Sequence, residues 1–498
     1  MTLSSAYNII NSAFAVTGAQ SATIARNITN ASTPGYSREI ANVVDNPYGG
    51  ADVASITREA NSALLDQVNS STSESASQSA IATGLATLAQ TVSDSASMTS
   101  SGATQNGASP SAMLANLQGA LSTYEADPSN DSVGEAVVSA AGDLTASLNS
   151  GAAAVQQVRS QADANMAASV ATINSLLNQF TQLNATVVNG LQSGADISSP
   201  QDSEDSILTQ LSQQVGISTT TNANGSVSIY TDSGVTLFQD VPQTLSFTPS
   251  PTLTAGINGN PVTVDGIPIT GASAPMAIQS GALAGLAQLR DTIAPEYQAQ
   301  LDQISGGLVN AFAETDQTGG TAPALPGLFT FPGATGVPST TQVTGLSSQI
   351  EVNPNVDPSQ GGDVDLLRDG GISDPGSATY TYNTTGSTGY TGRIQQMVSA
   401  IGATQSFDPS AGLGASDSLS DYANNSVGWL QGQNQQATDA ASYQSSVVTQ
   451  ATSALSNATG VNLDTEMTNM LNIENSYTTS AKLLTTVNDM FSALMNAA

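Results

Sequence analysis

No cysteine and no histidine occur among the 498 residues. That removes thiol nucleophiles, imidazole bases, zinc fingers, histidine-ligated haem and disulfide frameworks together. Charge is also scarce: Asp, Glu, Lys and Arg make up 9% of the chain, against about 25% in an ordinary soluble protein. Only 8 residues are basic against 39 acidic, a net charge of −31. Such a surface repels phosphate backbones and excludes nucleic acid as a partner. Aromatics are 4% of the residues, so packing must rest on Ala, Leu, Val and Ile in thin helical layers. No uninterrupted apolar run reaches the length of a membrane span, so no membrane insertion is expected. No basic segment precedes a continuous apolar core near Met1, so a cleaved secretory signal is not expected either. Without His, Cys or a recognisable pocket motif, no enzyme activity, catalytic residue, metal or cofactor is expected. Asp363, Asp365 and Asp369-Gly370 resemble a calcium loop only at the start. The spacing then fails and no Glu closes the loop, so a solvated turn is the better reading.

What is present is patterned. Apolar content of 39% is too high for a wholly disordered chain. Met1 to Ala25 holds no charged side chain, yet Leu3, Tyr7, Ile10, Phe14, Ile24 and Ile28 mark one stripe of an α-helix. At the other end Ile473, Tyr477, Ala481, Leu484, Val487, Phe491 and Leu494 follow heptad-like spacing. Arg26, Arg38, Glu39 and Asp45 cancel within residues 1–45, and residues 455–498 carry a net charge of −3. The acidity therefore sits in the middle, leaving the ends free to associate.

The spacing predicts a first helix from about Leu3 to Ala31, stopped at Ser32-Thr33-Pro34-Gly35. Residues 36–58 read as extended, anchored by Ile40, Val43, Val53 and Ile56. Helical spacing resumes near Ala60 and continues to about Leu191, with breaks at Ser101-Gly102, Gly107-Pro110 and Asp127-Asn130. A short helix, Ser206 to Gln214, follows. Val227, Ile229, Val235 and Leu237 then alternate around Asn224-Gly225 and Asp232-Ser233-Gly234, a hairpin signature. Further strands are punctuated by Asn258-Gly259 and Asp265-Gly266. A helical stretch from Met276 to about Glu314 is interrupted at Pro295 and Gly306-Gly307. Residues 316–390 hold only short strand candidates. Helix returns from Gly392 to the end, with a break at Thr459-Gly460.

The fold class is therefore mainly α with a β-rich middle. Residues 1–45 and 456–498 are expected to form a terminal coiled coil. Residues 46–205 and 392–455 are expected to form a helical bundle arm. Residues 206–391 would be an inserted β-rich outer domain with an intervening helical segment over 276–314.

Ala25-Arg26-Asn27-Ile28-Thr29-Asn30-Ala31-Ser32-Thr33-Pro34-Gly35-Tyr36 resembles the N-terminal signature of bacterial flagellar rod, hook and hook-associated proteins, and Tyr36-Ser37-Arg38 is similar to the hook-associated members. Blocks at Val53–Glu59, Ile173–Leu177, Ser206–Gly216, Ser280–Leu286, Gly460–Glu466 and Tyr477–Lys482 resemble the hook-associated junction family, so the likeness covers most of the chain. Residues 330–390 match poorly. The resemblance implies a structural axial subunit between hook and filament, outside the cell. Asn27, Asn30, Thr33, Pro34, Gly35, Tyr36, Ser37 and Arg38 would be its family motif. It implies self-association in a ring, contact with the hook protein and a second junction protein, and a chaperone on the C-terminal helix. It also implies export through the flagellar type III apparatus. The alternatives are a sister axial protein, such as the second junction protein or a hook-like subunit, and a secreted acidic adhesin.

Overall fold

The computed structural model describes residues 3–47, 49–99, 102–106, 109–339 and 343–497. Helix α1 (Leu3–Asn30) leads into a hairpin, β1 (Glu39–Asp45) and β2 (Ala51–Arg58), and then α2 (Ser62–Ala89). A second hairpin, β3 (Ser95–Thr99) and β4 (Gly102–Asn106), stands where helical breaks were expected, although Ser101, Gly107 and Ala108 lie outside the described residues. Helices α3 (Pro110–Ala126), α4 (Asp131–Ser193) and α5 (Ser198–Gln214) follow. At 63 residues, α4 is about 95 Å long. Its spine of Val137, Ala141, Leu144, Leu148, Val155, Ala162, Met166, Ile173, Leu177 and Phe180 is almost fully buried, and the steps of three, four and seven explain why one face stays inward throughout. Helix α5 starts eight residues before the expected Ser206.

The period then changes to two. Strands β5 (Ile217–Thr221), β6 (Val227–Thr231), β7 (Thr236–Gln239) and β8 (Val241–Pro242) form an antiparallel sheet in sequence order. Its first two turns are Asn224-Gly225 and Asp232-Ser233-Gly234. A smaller sheet joins β9 (Leu245–Ser246), β10 (Thr263–Val264) and β11 (Ile267–Pro268). Between β10 and β11, Asp265 and Gly266 both adopt positive φ, 48° and 81°, as a two-residue hairpin of the primed type requires.

Helices α6 (Ala282–Gln288) and α7 (Ala294–Ala311) fall in the segment expected to be interrupted at Pro295 and Gly306-Gly307; the α-helix gives way to a π turn just before Pro295, and no break occurs at Gly306-Gly307. Pro295 sits in the first turn of α7, after a widened π turn at Leu289–Ile293 in which the Ala294 amide reaches back to Leu289 O. The wide turn absorbs the proline. Gly306 and Gly307 lie inside α7 because neighbours press against them. A Cβ there would come within 2.6 Å of Val343 and 2.8 Å of Leu419. Helix α6 packs on α2 and α4, and α7 packs on α4 and α10, rather than standing apart with the strands.

After β12 (Phe329–Thr330) and β13 (Glu351–Val352), the chain forms α8 (Leu366–Asp369) and α9 (Gly392–Gly402). A hairpin that the sequence reading missed, β14 (Thr404–Ser406) and β15 (Ser416–Ser418), comes before the long α10 (Leu419–Thr459) and α11 (Leu463–Ala497). Helix α10 lies along α2.

One continuous apolar core runs from Ile81 to Ala437 and contains no residue of α1, β1, β2 or α11. Two modules result: a body, and a smaller unit made by the two ends. The body's four cations, Arg159, Arg290, Arg368 and Arg393, are all buried, between 0% and 5% exposed. Arg159 and Arg393 are spent on main-chain carbonyls, such as Arg290 O at 3.0 Å and Phe312 O at 2.9 Å. Arg368 lies between Asp365 and Asp369, the acids of the loop that resembled a calcium site. Among the described residues, the body therefore shows water carboxylates and no exposed cation.

Candidate assembly site at the chain ends

Helices α1 and α11 lie side by side. Their contacts run in opposite order: Tyr7 shares a groove with Phe491 and Met495, Phe14 meets Tyr477, Ser21 meets Met470, and Asn27 meets Glu466. The helices are therefore antiparallel. The Phe14 and Tyr477 rings meet edge to face with centroids 5.0 Å apart, the arrangement that aromatic quadrupoles favour. Hairpin β1–β2 lies along α1 as well, and the Ala51 amide donates to Ser12 Oγ at 3.2 Å.

The residues of the two expected stripes divide into three groups. Ile10, Ile24 and Val487 are buried in the module. Leu3, Phe14, Ile28, Ile473, Ala481 and Leu484 are half-buried. Tyr7, Tyr477, Phe491 and Leu494 are exposed, Leu494 at 64%. Helix α11 shows a second apolar set that the heptad reading did not include. Leu463, Met467, Leu471, Leu483, Met490 and Met495 are all exposed. Met495 lines the groove with Tyr7, whereas Leu463, Met467 and Leu471 on one side and Leu483 and Met490 on another leave α11 with uncovered apolar side chains in the isolated chain.

The motif at the end of α1 does more than stop a helix. Gly35 has φ of 79°, a left-handed geometry that favours glycine. It turns the chain so that Tyr36 and Glu39 come back over the helix. Asn27 is fully buried beneath them. Its Oδ1 accepts from the Glu39 amide and from Tyr36 Oη, each at 2.9 Å. Its Nδ2 donates to Glu39 O at 2.9 Å and to Glu466 Oε2 at 3.2 Å. Every hydrogen-bonding position of the amide is thus used, across α1, β1 and α11. Arg38 adds an ion pair with Glu466 at 2.7 Å and one with Glu59 at 3.2 Å, and its amide donates to Thr459 O. Glu466 is itself buried. Burial, and then the nearby Glu39 carboxylate, push the Tyr36 hydroxyl well above its ordinary range and keep it a donor.

Asn30 and Thr33 have lesser roles, the Asn30 amide capping Arg26 O at 3.0 Å. Pro34 is exposed. The Ser37 amide donates to Asp202 Oδ2 at 3.1 Å. From the sequence, Glu466 and Arg58 stand only inside resembling blocks, Arg26 inside the resembling signature and as a cancelling charge, Glu39 only as a cancelling charge, and Asp202 is not singled out at all. A signal was available: three of only seven arginines fall within residues 26–58, and in a chain this poor in cations they mark an ion-pair cluster. Among the described residues, no group of acids is arranged to hold a metal ion. No described helix is long and apolar enough to cross a membrane.

Two family models and a solved structure match parts of the chain. Residues 96–328 match the family described as the flagellar hook-associated protein FlgK helical domain. Residues 453–497 match the flagellar basal body rod FlgEFG protein C-terminal family. Among solved structures, the flagellar hook junction protein FlgK from Burkholderia pseudomallei aligns at 21% identity with a TM-score of 0.41. That alignment covers 53% of this chain and 46% of the other. No curated protein matches the chain closely enough to count as a relative.

Proposed function

We propose, from the premise that the chain belongs to the family of flagellar hook-associated protein 1, that it is a structural axial subunit joining hook to filament. The observation that carries this reading is the set of uncovered apolar side chains on α11, on a module built from the two chain ends. Met467, Leu471, Leu483, Met490 and Leu494 are each more than half exposed. Met467 and Leu471 step by four, and Leu483, Met490 and Leu494 by seven and four, so they form two short rows on different sides of α11. Exposed side chains of that size are a surface waiting for neighbours. In the assembled ring those neighbours are the terminal helices of adjacent copies, of the hook protein and of the second junction protein. The motif residues from Asn27 to Arg38 hold α1, β1 and α11 in register so that these rows are presented as a rigid unit.

Residues 1–45 and 456–498 form the inner, axial part in this reading, and the acidic body projects outward. The protein works by mechanical coupling rather than by catalysis. Export runs through the flagellar type III apparatus without a cleaved signal, and a chaperone covers the C-terminal helix before assembly. A chain without cysteine suits passage through a pore unfolded, since no disulfide can trap it. The secreted adhesin draws no support from either family match.

The test is Leu471→Asp in cells that lack their own copy of the gene. Position 471 is 60% exposed, so the single chain should fold and be exported normally. Hooks without filaments are the expected result by electron microscopy. Filaments of normal number and length would refute the proposed role of the exposed α11 rows.

A further inference from the structure

The boundary between the end module and the body is chemically unlike either interior. No residue of the module enters the apolar core. The described cross-links are polar. The Arg58 guanidinium at the end of β2 reaches Asp202 at 2.8 Å and also Asp205, both on α5. The Ser37 amide donates to the same Asp202, and Arg26 lies 3.7 Å from Asp196. Beside this joint a cleft opens between Pro34 and Tyr36 on one wall and Gln182, Leu183, Ser203 and Ile207 on the other. The chain crosses the boundary twice, through the short segments 59–61 and 460–462.

We infer that this joint is a latch: Arg58, held between Asp202 and Asp205, fixes the tilt of the end module against the body, and releasing it lets the module swing about the two crossings. The joint is held electrostatically. Asp202 and Asp205 are three positions apart on α5 and share one face of the helix. Side-chain exposures of 12% for Arg58 and 14% and 27% for the two acids keep water from screening the pairs fully. Removing the cation leaves two carboxylates side by side on α5, repelling each other and drawing water into a boundary whose described bonds are polar. The joint then opens instead of collapsing. Removing both acids relieves that repulsion, so the same boundary loosens less. The latch does not depend on what the module binds.

The absence of native cysteine allows a direct test on the full chain. Ala54→Cys on β2 and Thr186→Cys on α4, both exposed, carry nitroxide labels, and pulsed double electron–electron resonance reads the distance distribution. The parent should give one narrow peak. Arg58→Gln should broaden it at least twofold or add a longer distance, and Asp202→Asn with Asp205→Asn should broaden it less. Adding the two Asn changes to Arg58→Gln should narrow the distribution again. The thermal unfolding of the body should stay where it was in every variant. A parent distribution that is already broad, or an Arg58→Gln distribution equal to the parent's, would overturn the inference. If Arg58→Gln alone lowers the body's unfolding temperature, the paired Asn variant decides: no broadening there overturns the latch.

Discussion

Asn27→Ala is the most informative single change, because Asn27 joins three elements and is fully buried. The truncation strips partners from the Tyr36 hydroxyl, the Glu39 amide and carbonyl, and one Glu466 oxygen. Leaving a buried polar group without a partner costs about 1–3 kcal/mol. Arg38 still pairs with Glu466, and some relaxation will rescue one group, so a total of about 3–6 kcal/mol is reasonable. The loss should fall on the end module alone, since that module shares no apolar core with the body. Hydrogen exchange read by mass spectrometry is the assay. Protection in peptides from α1 and from the first half of α11 should drop by about two to four decades, reaching a limit where the module's own stability is used up. Peptides from α4 and α7 should exchange as in the parent. Asn27→Asp should be no milder despite its matching shape, since it deletes both donated bonds and sets a carboxylate against Glu39 and Glu466. Unchanged protection in α1 would refute the idea that the buried amide holds the module together. Loss of protection throughout the body would refute the separation of the two modules.

Three further outcomes follow from the same structure. Burial, with a smaller contribution from Asp205, raises the Glu204 carboxyl to about 7, above the unfolded value near 4.3. The folded state keeps that proton where the unfolded chain releases it, so the contribution is full at pH 4 and lost as pH rises to about 7. Glu204→Gln should match the parent near pH 4 and exceed it at pH 8, by at most about 3 kcal/mol in urea unfolding. No gain at pH 8 would show that Glu204 is not held neutral. Leu177→Ala, at a fully buried position of α4, should cost the body about 2–5 kcal/mol while leaving exchange in α1 unchanged. Phe491→Asp should leave the body's calorimetric transition in place yet abolish filament attachment, and normal filaments from that variant would count against burial of the exposed α11 face in the assembly.

Much of the architecture was legible because it is periodic. The stripe of α1, the stop at Pro34-Gly35, the hairpins at Asn224-Gly225 and Asp232–Gly234, and the break after Thr459 all rest on local rules. Gly306-Gly307 misled because their setting is tertiary, and Pro295 marked a change of helix type rather than an end. A π turn takes up the proline, while Val343 and Leu419 occupy the space that side chains at the two glycines would need. Hairpin β14–β15 was hidden because Thr404-Gln405-Ser406 and Ser416-Asp417-Ser418 carry no apolar alternation. The site was harder still. Asn27 and Glu466 are 439 residues apart, and nothing local in either segment names the other. The heptad of α11 marked one face only, because Met467, Leu471 and Leu483 fall outside its spacing and gain meaning only when neither α1 nor the body covers them.

The burial of all four body arginines has a consequence for many copies standing side by side. A typical protein surface can settle against its neighbour by matching plus to minus, and this body has nothing to match with. Each copy instead carries a cloud of counterions, and crowding copies together compresses those clouds within about 8–10 Å at ordinary salt. In the proposed ring, the osmotic pressure of trapped ions, rather than any fixed contact, would then govern the gap between neighbouring bodies, so the outer rim should swell in fresh water and tighten in brine while the inner seam keeps its dimensions.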